Sequence, residues 1–133
     1  MLLTKKTEYA LLSLISIAKS NEPKNVDILS KELNIPKPYL AKILQSFSKQ
    51  NILKSYKGIN GGFVLNVKPN DLTILQVAII SETKIPTVFE CSPSMADCPT
   101  QMGGQCCIWP VLNKLQNKIN NFLDSLTLDD IIK

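Results

Sequence analysis

The sequence predicts a mainly α-helical protein with one small β-hairpin and a long C-terminal helix. Three observations carry that expectation. Apolar residues recur at helical spacing through the first fifty positions, two short apolar runs flank a glycine-rich tip near the middle, and an apolar series stepping by four and three runs through the last third. A chain of 133 residues can bury one real core. No stretch approaches the ~20 apolar residues of a membrane span, and the short apolar run after Glu8 reads as a domain helix and not as a signal peptide.

The elements follow in order. Residues 3–20 form a helix with Leu11, Leu14, Ile15 and Ala18 on one face, ended by Asn21-Glu22-Pro23. A short helix over 26–33 begins after a cap at Asn25 or Asp27. Asn34-Ile35-Pro36 makes a tight turn into a helix over 37–50. Pro38 is tolerated there because the first helical turn has no intrahelical N–H partner to lose. Leu40, Ile43, Leu44 and Phe47 form its buried stripe. Residues 52–56 and 63–65 pair as a hairpin around Asn60-Gly61. Thr73 with Gln76 fits a capping box opening a helix to about Glu82. From about Cys107 a long helix carries Ile108, Leu112, Leu115, Ile119, Phe122 and Leu126 in a heptad seam. So long a helix in so small a chain has little to pack against, which favours a homodimer. Thr127 caps a last short helix.

Charge divides the chain into a module over 1–68 and a second part over 69–133, the two forming one compact unit. The first holds eleven lysines against four acids, a net of +7; the second holds four lysines against seven acids, a net of −3. A basic first half suits a polyanion such as double-stranded DNA, although lysines also serve solubility. All fifteen cationic residues are lysine and none is arginine. Arginine is the commonest bidentate reader of guanine, so a reader built from this chain must use Lys, Gln, Asn, Ser or Tyr, or sense DNA shape.

Helix, helix, tight turn, helix, hairpin is the order of a winged helix-turn-helix, in which the helix after the turn enters the major groove. Its exposed face would show Lys37, Tyr39, Lys42, Gln45, Ser46 and Lys49, with Lys42 and Gln45 as base readers and Tyr39 and Ser46 on phosphate or base edges. The hairpin would be the wing, presenting Lys54, Tyr56, Lys57 and Asn60, while Gly58, Gly61 and Gly62 allow a tight tip. The alternative is a solvated surface on a structural three-helix unit.

All four cysteines (Cys91, Cys98, Cys106 and Cys107) lie within seventeen residues, in a loop over about 86–107. In a reducing cytoplasm such clusters more often bind metal or do redox chemistry than form structural disulfides. Thiolates favour Fe–S clusters, zinc or copper(I). The spacing C-x6-C-x7-C-C is looser than the paired cysteines of structural zinc sites and differs from ferredoxin spacing. The chain has no histidine, so a fourth ligand is Cys107, an acid or an exogenous group. A dithiol redox sensor is the competing reading.

Several motifs resemble the Rrf-type bacterial transcriptional regulators, the family of the IscR- and NsrR-like proteins. They are Met1-Leu2-Leu3-Thr4-Lys5 with Tyr9-Ala10, then Ile35-Pro36-Lys37-Pro38-Tyr39-Leu40, the wing from Lys57-Gly58-Ile59-Asn60-Gly61-Gly62 through Phe63-Val64-Leu65, and Phe122-Leu123-Asp124-Ser125-Leu126-Thr127-Leu128. The resemblance covers nearly the whole chain, and the wing and C-terminal motifs are its specific part. It implies a homodimer of winged helix-turn-helix subunits crossed through the long helix, with a 2Fe–2S or 4Fe–4S cluster held by Cys91, Cys98 and Cys106. The histidine that IscR-like members carry three residues after the third cysteine is Trp109 here. The acid some members extend from the partner subunit corresponds to Glu8. A gating glutamate of the reading helix is replaced by Ala41, and the usual wing arginine by Lys57, which keeps the charge but loses the fork.

The expectation is therefore a cytoplasmic, homodimeric, DNA-binding repressor whose operator affinity follows an Fe–S cluster that senses nitric oxide, redox state or iron and cluster status. Two other classes stand beside it: a cofactor-free regulator that works by thiol oxidation or through a partner enzyme, and a small Fe–S or zinc protein without DNA binding. No histidine, no recognisable carboxylate pair and no phosphate-binding loop supports an enzyme.

Overall fold

The computed structural model describes residues 3–87 and 107–132. Among these residues six helices and one hairpin run in the order α1 (Lys5–Lys19), α2 (Val26–Leu33), α3 (Lys37–Lys49), β1 (Leu53–Tyr56), β2 (Gly62–Leu65), α4 (Ile74–Glu82), α5 (Trp109–Ser125) and α6 (Leu128–Ile132), with a 3-10 turn at Pro69–Asp71 before α4. The expected order holds, with boundaries moved by a residue or two. No described helix is long and apolar enough to cross a membrane.

The core lies among α1, α2, α3, the hairpin, α4 and α6. Leu14, Leu29, Leu40, Leu44, Phe47, Leu53, Leu72, Val77 and Leu128 are all at most 2% exposed and belong to one cluster. On α1 the deepest line is Ala10, Leu14 and Ile17, and the expected Leu11, Ile15 and Ala18 pack at its edge. Thr7 and Ser13 are buried on the same helix. The Ser13 hydroxyl donates to the Tyr9 carbonyl at 2.7 Å, which satisfies it without a distant partner.

Local chemistry sets the boundaries. The Asn25 side chain accepts from the Ile28 amide at 2.8 Å to start α2, and Asn34 ends it in the left-handed region (φ 57°). Ile35 is then buried, its amide donating to the Ser30 carbonyl at 3.2 Å while the Ser30 hydroxyl donates to the Ile35 carbonyl at 2.6 Å. α3 has no side-chain cap, and Pro38 occupies its first turn as the sequence allows. The Thr73–Gln76 capping box of α4 is present in both directions, at 3.1 and 3.0 Å. A second reciprocal pair, Thr127 with Asp130, starts α6.

The hairpin is antiparallel, with Leu53 opposite Leu65 and Tyr56 opposite Gly62. Its connection is five residues long, and the positive dihedrals fall on Gly58 (φ 106°) and Gly62 (φ 151°), not on the expected Asn60-Gly61 centre. The Gly61 amide donates to the Gly58 carbonyl at 3.0 Å, closing the tip. The wing base is anchored on its other edge. Lys24 bridges Phe63 with backbone bonds of 3.2 and 2.8 Å, and a Cβ on Gly62 would stand 2.5 Å from the Lys24 carbonyl carbon.

The C-terminus returns to the body. The Ile74 amide donates to the Leu126 carbonyl at 2.9 Å and the Leu128 amide to the Leu72 carbonyl at 2.9 Å, which places Leu128 in the core beside Leu72. Among the described elements α5 packs mainly on α4. Leu123 and Gln116 are its buried residues, whereas Val111 is 67% and Phe122 63% exposed.

Candidate nucleic-acid interface

α3 is braced by its neighbours through the fully buried Leu40, Leu44 and Phe47, and this sets the direction of everything on its other side. Lys37, Lys42, Gln45 and Lys49 are exposed as predicted. Gln45 and Lys49 join Ser48, Ser55 and Phe63 in lining a cleft between α3 and the hairpin. A reading helix and a wing therefore meet along one groove, the relation that lets a helix enter the major groove while a hairpin reaches the adjoining backbone or minor groove.

Tyr39 departs from the exposed face assigned to it. It is half-buried, its ring meeting the Tyr9 ring edge-on with centroids 5.5 Å apart. Burial first, and the negative charge of Glu82 second, push its phenol above the ordinary value. Ser46, seven residues on, lies on the same flank. It lines a depression with Ile79, Ile80 and Thr83 of the α4 side, and its hydroxyl donates back to the Lys42 carbonyl at 3.1 Å. The physical reason is the width of the apolar stripe. Tyr39 sits beside Leu40, so the packing of α1 and α4 captures it together with the helix core. The outward face is thus narrower than expected, made of Lys37, Lys42, Gln45 and Lys49.

The lysines differ in their engagement. Lys37 pairs with Asp27 of α2, and its ammonium, mainly by hydrogen bonding and then by charge, holds the Asp27 carboxyl below its usual value. The Lys54 ammonium stands 5.4 Å from the Tyr56 ring centroid on the opposite hairpin face from Ser55, so these two residues point away from the α3 cleft. Lys57 and Asn60 stand exposed on the tip.

The expected cluster ligands divide in the same uneven way. Cys91, Cys98 and Cys106 lie outside the described residues. Cys107 is exposed immediately before α5. Glu8 is exposed on the first turns of α1, 3.0 Å from Lys5. Among the described residues no group of three or more His, Cys, Asp or Glu could hold a metal ion. The donor chemistry itself fits an Fe–S cluster, since three cysteines are available with an acid and a further thiol as candidate fourth ligands and no histidine competes.

Three hydrogen bonds that the sequence does not announce lie near the root of the cysteine loop. Glu82, at the end of α4, accepts hydrogen bonds from the hydroxyls of Thr4, the N-cap of α1, and Thr7, the latter at 3.2 Å. Gln116 is 1% exposed within α5 and donates to the Pro86 carbonyl at 2.7 Å. The first two join the start of α1 to α4 across 78 and 75 residues, the third joins α5 to the loop root across 30, and no spacing rule could have found them.

Comparison with known proteins agrees with this geometry. Residues 3–133 match the Rrf2 family model, described as "Iron-dependent Transcriptional regulator". The chain is 26% identical over 136 residues to the HTH-type transcriptional regulator IscR of Vibrio atlanticus, covering 100% of this chain and 76% of that protein. It is 27% identical over 135 residues to Protein aau3 of Rhizobium meliloti, covering 100% and 86%. Among solved structures it is similar to CymR, the global cysteine regulator of B. subtilis, with a TM-score of 0.76 at 22% identity over 98% of this chain and 95% of that one. It is also similar to T. potens IscR, with a TM-score of 0.75 at 20% identity over 98% and 85%. At such identities the structural likeness establishes the winged-helix fold, and the family match establishes a DNA-binding transcription regulator and not an enzyme. This chain belongs to the Rrf2 family of transcriptional regulators.

Proposed function

We propose that the protein acts in the cytoplasm as a homodimeric repressor whose operator affinity is set by an Fe–S cluster on Cys91, Cys98 and Cys106, with Glu8 of the partner subunit or Cys107 as fourth ligand. The observation that carries the DNA half is the rigidly braced α3, with Lys42, Gln45 and Lys49 facing outward beside the wing. Lys42 and Gln45 read base edges, and Lys49, Lys57 and Asn60 hold the backbone. Lys37 contributes less, because Asp27 already neutralises it.

Dimerisation is supported by the uncovered seam of α5. Ile108, Leu115 and Phe122 recur every seven residues at 58%, 41% and 63% exposure, with Val111 beside them, while the expected Leu112 and Ile119 are half-buried. The cluster, when bound, would supply a soft, thiolate-held centre open to nitric oxide, oxygen or iron shortage. What this chain's residues do is transmit the state of the loop. Glu82 ties α4 to the start of α1, and Gln116 ties the loop root to α5, so a loop that changes shape biases the relation of the two α3 helices in the dimer. This mechanism needs two populated arrangements of the dimer, one of them binding-competent.

Anaerobic purification with an absorbance spectrum and iron and sulfide counts per chain tests the reading. Stoichiometric iron and sulfide, lost in Cys91→Ala, Cys98→Ala and Cys106→Ala together with operator affinity, is expected. Colourless protein after attempted reconstitution would overturn it. The thiol-switch reading is favoured by one observation, the exposed Cys107. It predicts colourless protein whose DNA affinity responds to peroxide and reductant.

A further inference from the structure

The wing tip carries an isoleucine where solvent exposure has no structural use. Ile59 is 99% exposed, more than any other large hydrophobic among the described residues. It is not at the end of a slack loop. Gly58, Ile59, Asn60 and Gly61 form a turn closed by the Gly61 amide on the Gly58 carbonyl at 3.0 Å. Gly61 packs so closely that a Cβ there would lie 2.3 Å from the Tyr56 carbonyl oxygen, and Gly58 holds φ 106°. The turn therefore projects Ile59 outward at 99% exposure, and although it borders a depression shared with Pro23 and Ile28, neither covers it.

The surroundings of that side chain favour a nucleic acid over an apolar partner. Lys57 and Asn60 flank it and are exposed. Residues 51–68 contain Lys54, Lys57 and Lys68 and no acid. Glu22 is the acid that lines the depression under the tip, with Pro23, Asn25 and Ile28. The hairpin base borders the cleft that holds Gln45 and Lys49, so a duplex engaged by α3 continues past the wing. The chain also has no arginine to place in a minor groove.

We infer that Ile59 is a specificity-determining residue that enters the minor groove beside the α3 half-site and selects against the exocyclic amine of guanine. This rests on the DNA-binding reading above. In the minor groove A·T and T·A pairs offer acceptors and an open floor, and a G·C pair adds an N2 amine that projects into the groove. A branched alkyl group offers that amine no acceptor and takes its water away. Against an A·T floor no amine projects into its path, so the same group can lodge at or between base steps, as apolar wedges of other minor-groove proteins do. The Lys57 ammonium beside it holds the phosphates.

The test uses the full chain and a duplex selected by the wild type from a random-sequence pool. Base pairs flanking the α3 half-site are changed one at a time, adenine to 2,6-diaminopurine to add a minor-groove amine, or guanine to inosine to remove one. The major-groove edges keep their donors and acceptors. One added amine at the wing position should weaken wild-type binding by roughly ten-fold and leave Ile59→Ser indifferent. Ile59→Ser should melt as the wild type does, because the side chain is 99% exposed. Equal responses of the two proteins to the added amine would overturn the inference. So would unchanged DNA binding accompanied by altered self-association of Ile59→Ser in sedimentation, which would make the tip a protein contact. Failure of the wild type to enrich any duplex would sink the DNA-binding reading itself, and the wing assignment with it.

Discussion

α3 and α5 are written in the same code and have opposite fates. Both are amphipathic, and both carry apolar residues at steps of three and four. In α3 that stripe disappears: Leu40, Leu44 and Phe47 are 0% exposed and Ile43 is 6% exposed. In α5 the corresponding line stays open at Val111, Leu115 and Phe122, and the helix spends its inward face on Leu123 and the amide of Gln116. The difference lies in the neighbours. α3 is enclosed by α1, α2, α4 and β1, whereas among the described elements α5 packs mainly on α4. A helix locked from several sides presents lysines at fixed positions, as a groove reader must. A helix locked on one side leaves its apolar seam open, as the proposed dimer requires.

The sharpest way to break that contrast is to delete one aromatic ring from each helix. Phe47→Ala should cost about 3–5 kcal/mol, read as a lower urea midpoint, because the cavity opens under an enclosed helix. Phe122→Ala should leave the folding of a dilute monomer within about 0.5 kcal/mol of the wild type. Equal losses would mean that α5 is covered within its own chain.

Next in size is self-association. Phe122→Glu places a charge in the proposed seam and should weaken the dimer by about 2 kcal/mol or more, seen as a shift toward monomer in analytical ultracentrifugation. A dimer of unchanged strength would remove α5 from the interface. Gly62→Ala probes the anchorage of the wing beside α3. The new methyl group meets the Lys24 backbone in a conformation that only glycine adopts readily, so a loss of about 1–3 kcal/mol is expected on thermal melting. An unchanged melting curve would show that the wing base tolerates displacement.

The outer face of α3 should respond differently from its inner one. Neither Lys42→Ala nor Lys49→Ala should change stability. Lys49→Ala should reduce the slope of log affinity against log salt by about one, and Lys42→Ala should cost about 1–3 kcal/mol of binding and relax base preference at one position. Lys37→Ala should do less, since Asp27 already engages that ammonium.

The smallest effect concerns pH. The Lys24 ammonium, then the Ser16 hydroxyl, hold the Glu32 carboxyl below the usual carboxylate range. A depressed folded-state value means that the pair contributes stability above the unfolded-state pKa and loses it as pH falls through the folded one. With Glu32 42% exposed the contribution is below about 1 kcal/mol. Glu32→Gln should accordingly flatten the acid limb of a melting-temperature profile and change little near neutrality. An identical acid limb would assign acid sensitivity elsewhere.

Much of the regulator was legible in residue order alone. The α3 stripe, the Thr73–Gln76 box, Pro38 in a first turn and a glycine-rich hairpin tip are local devices whose chemistry is complete within a few residues. Local spacing also marked Lys42, Gln45 and Lys49 as outward-facing. It failed for Tyr39, because a tyrosine on the border of an apolar stripe faces solvent or core according to what packs beside it, here Tyr9. The hairpin was legible too, while the positions of its positive dihedrals, Gly58 and Gly62, were not, the latter packing against the Lys24 backbone.

By itself the sequence determined the element types, their order, the charge division and the resemblance to a family, since these follow from period, capping and composition. Only the tertiary structure decided which of two similar apolar stripes would be covered. It alone brought the threonines of α1 onto Glu82 and Gln116 onto the Pro86 carbonyl. The physical reason is that burial and hydrogen-bond satisfaction belong to pairs of surfaces. A residue's own neighbours in the chain specify its helix and its face, and the partner across the gap comes from residues 75 or 30 positions away.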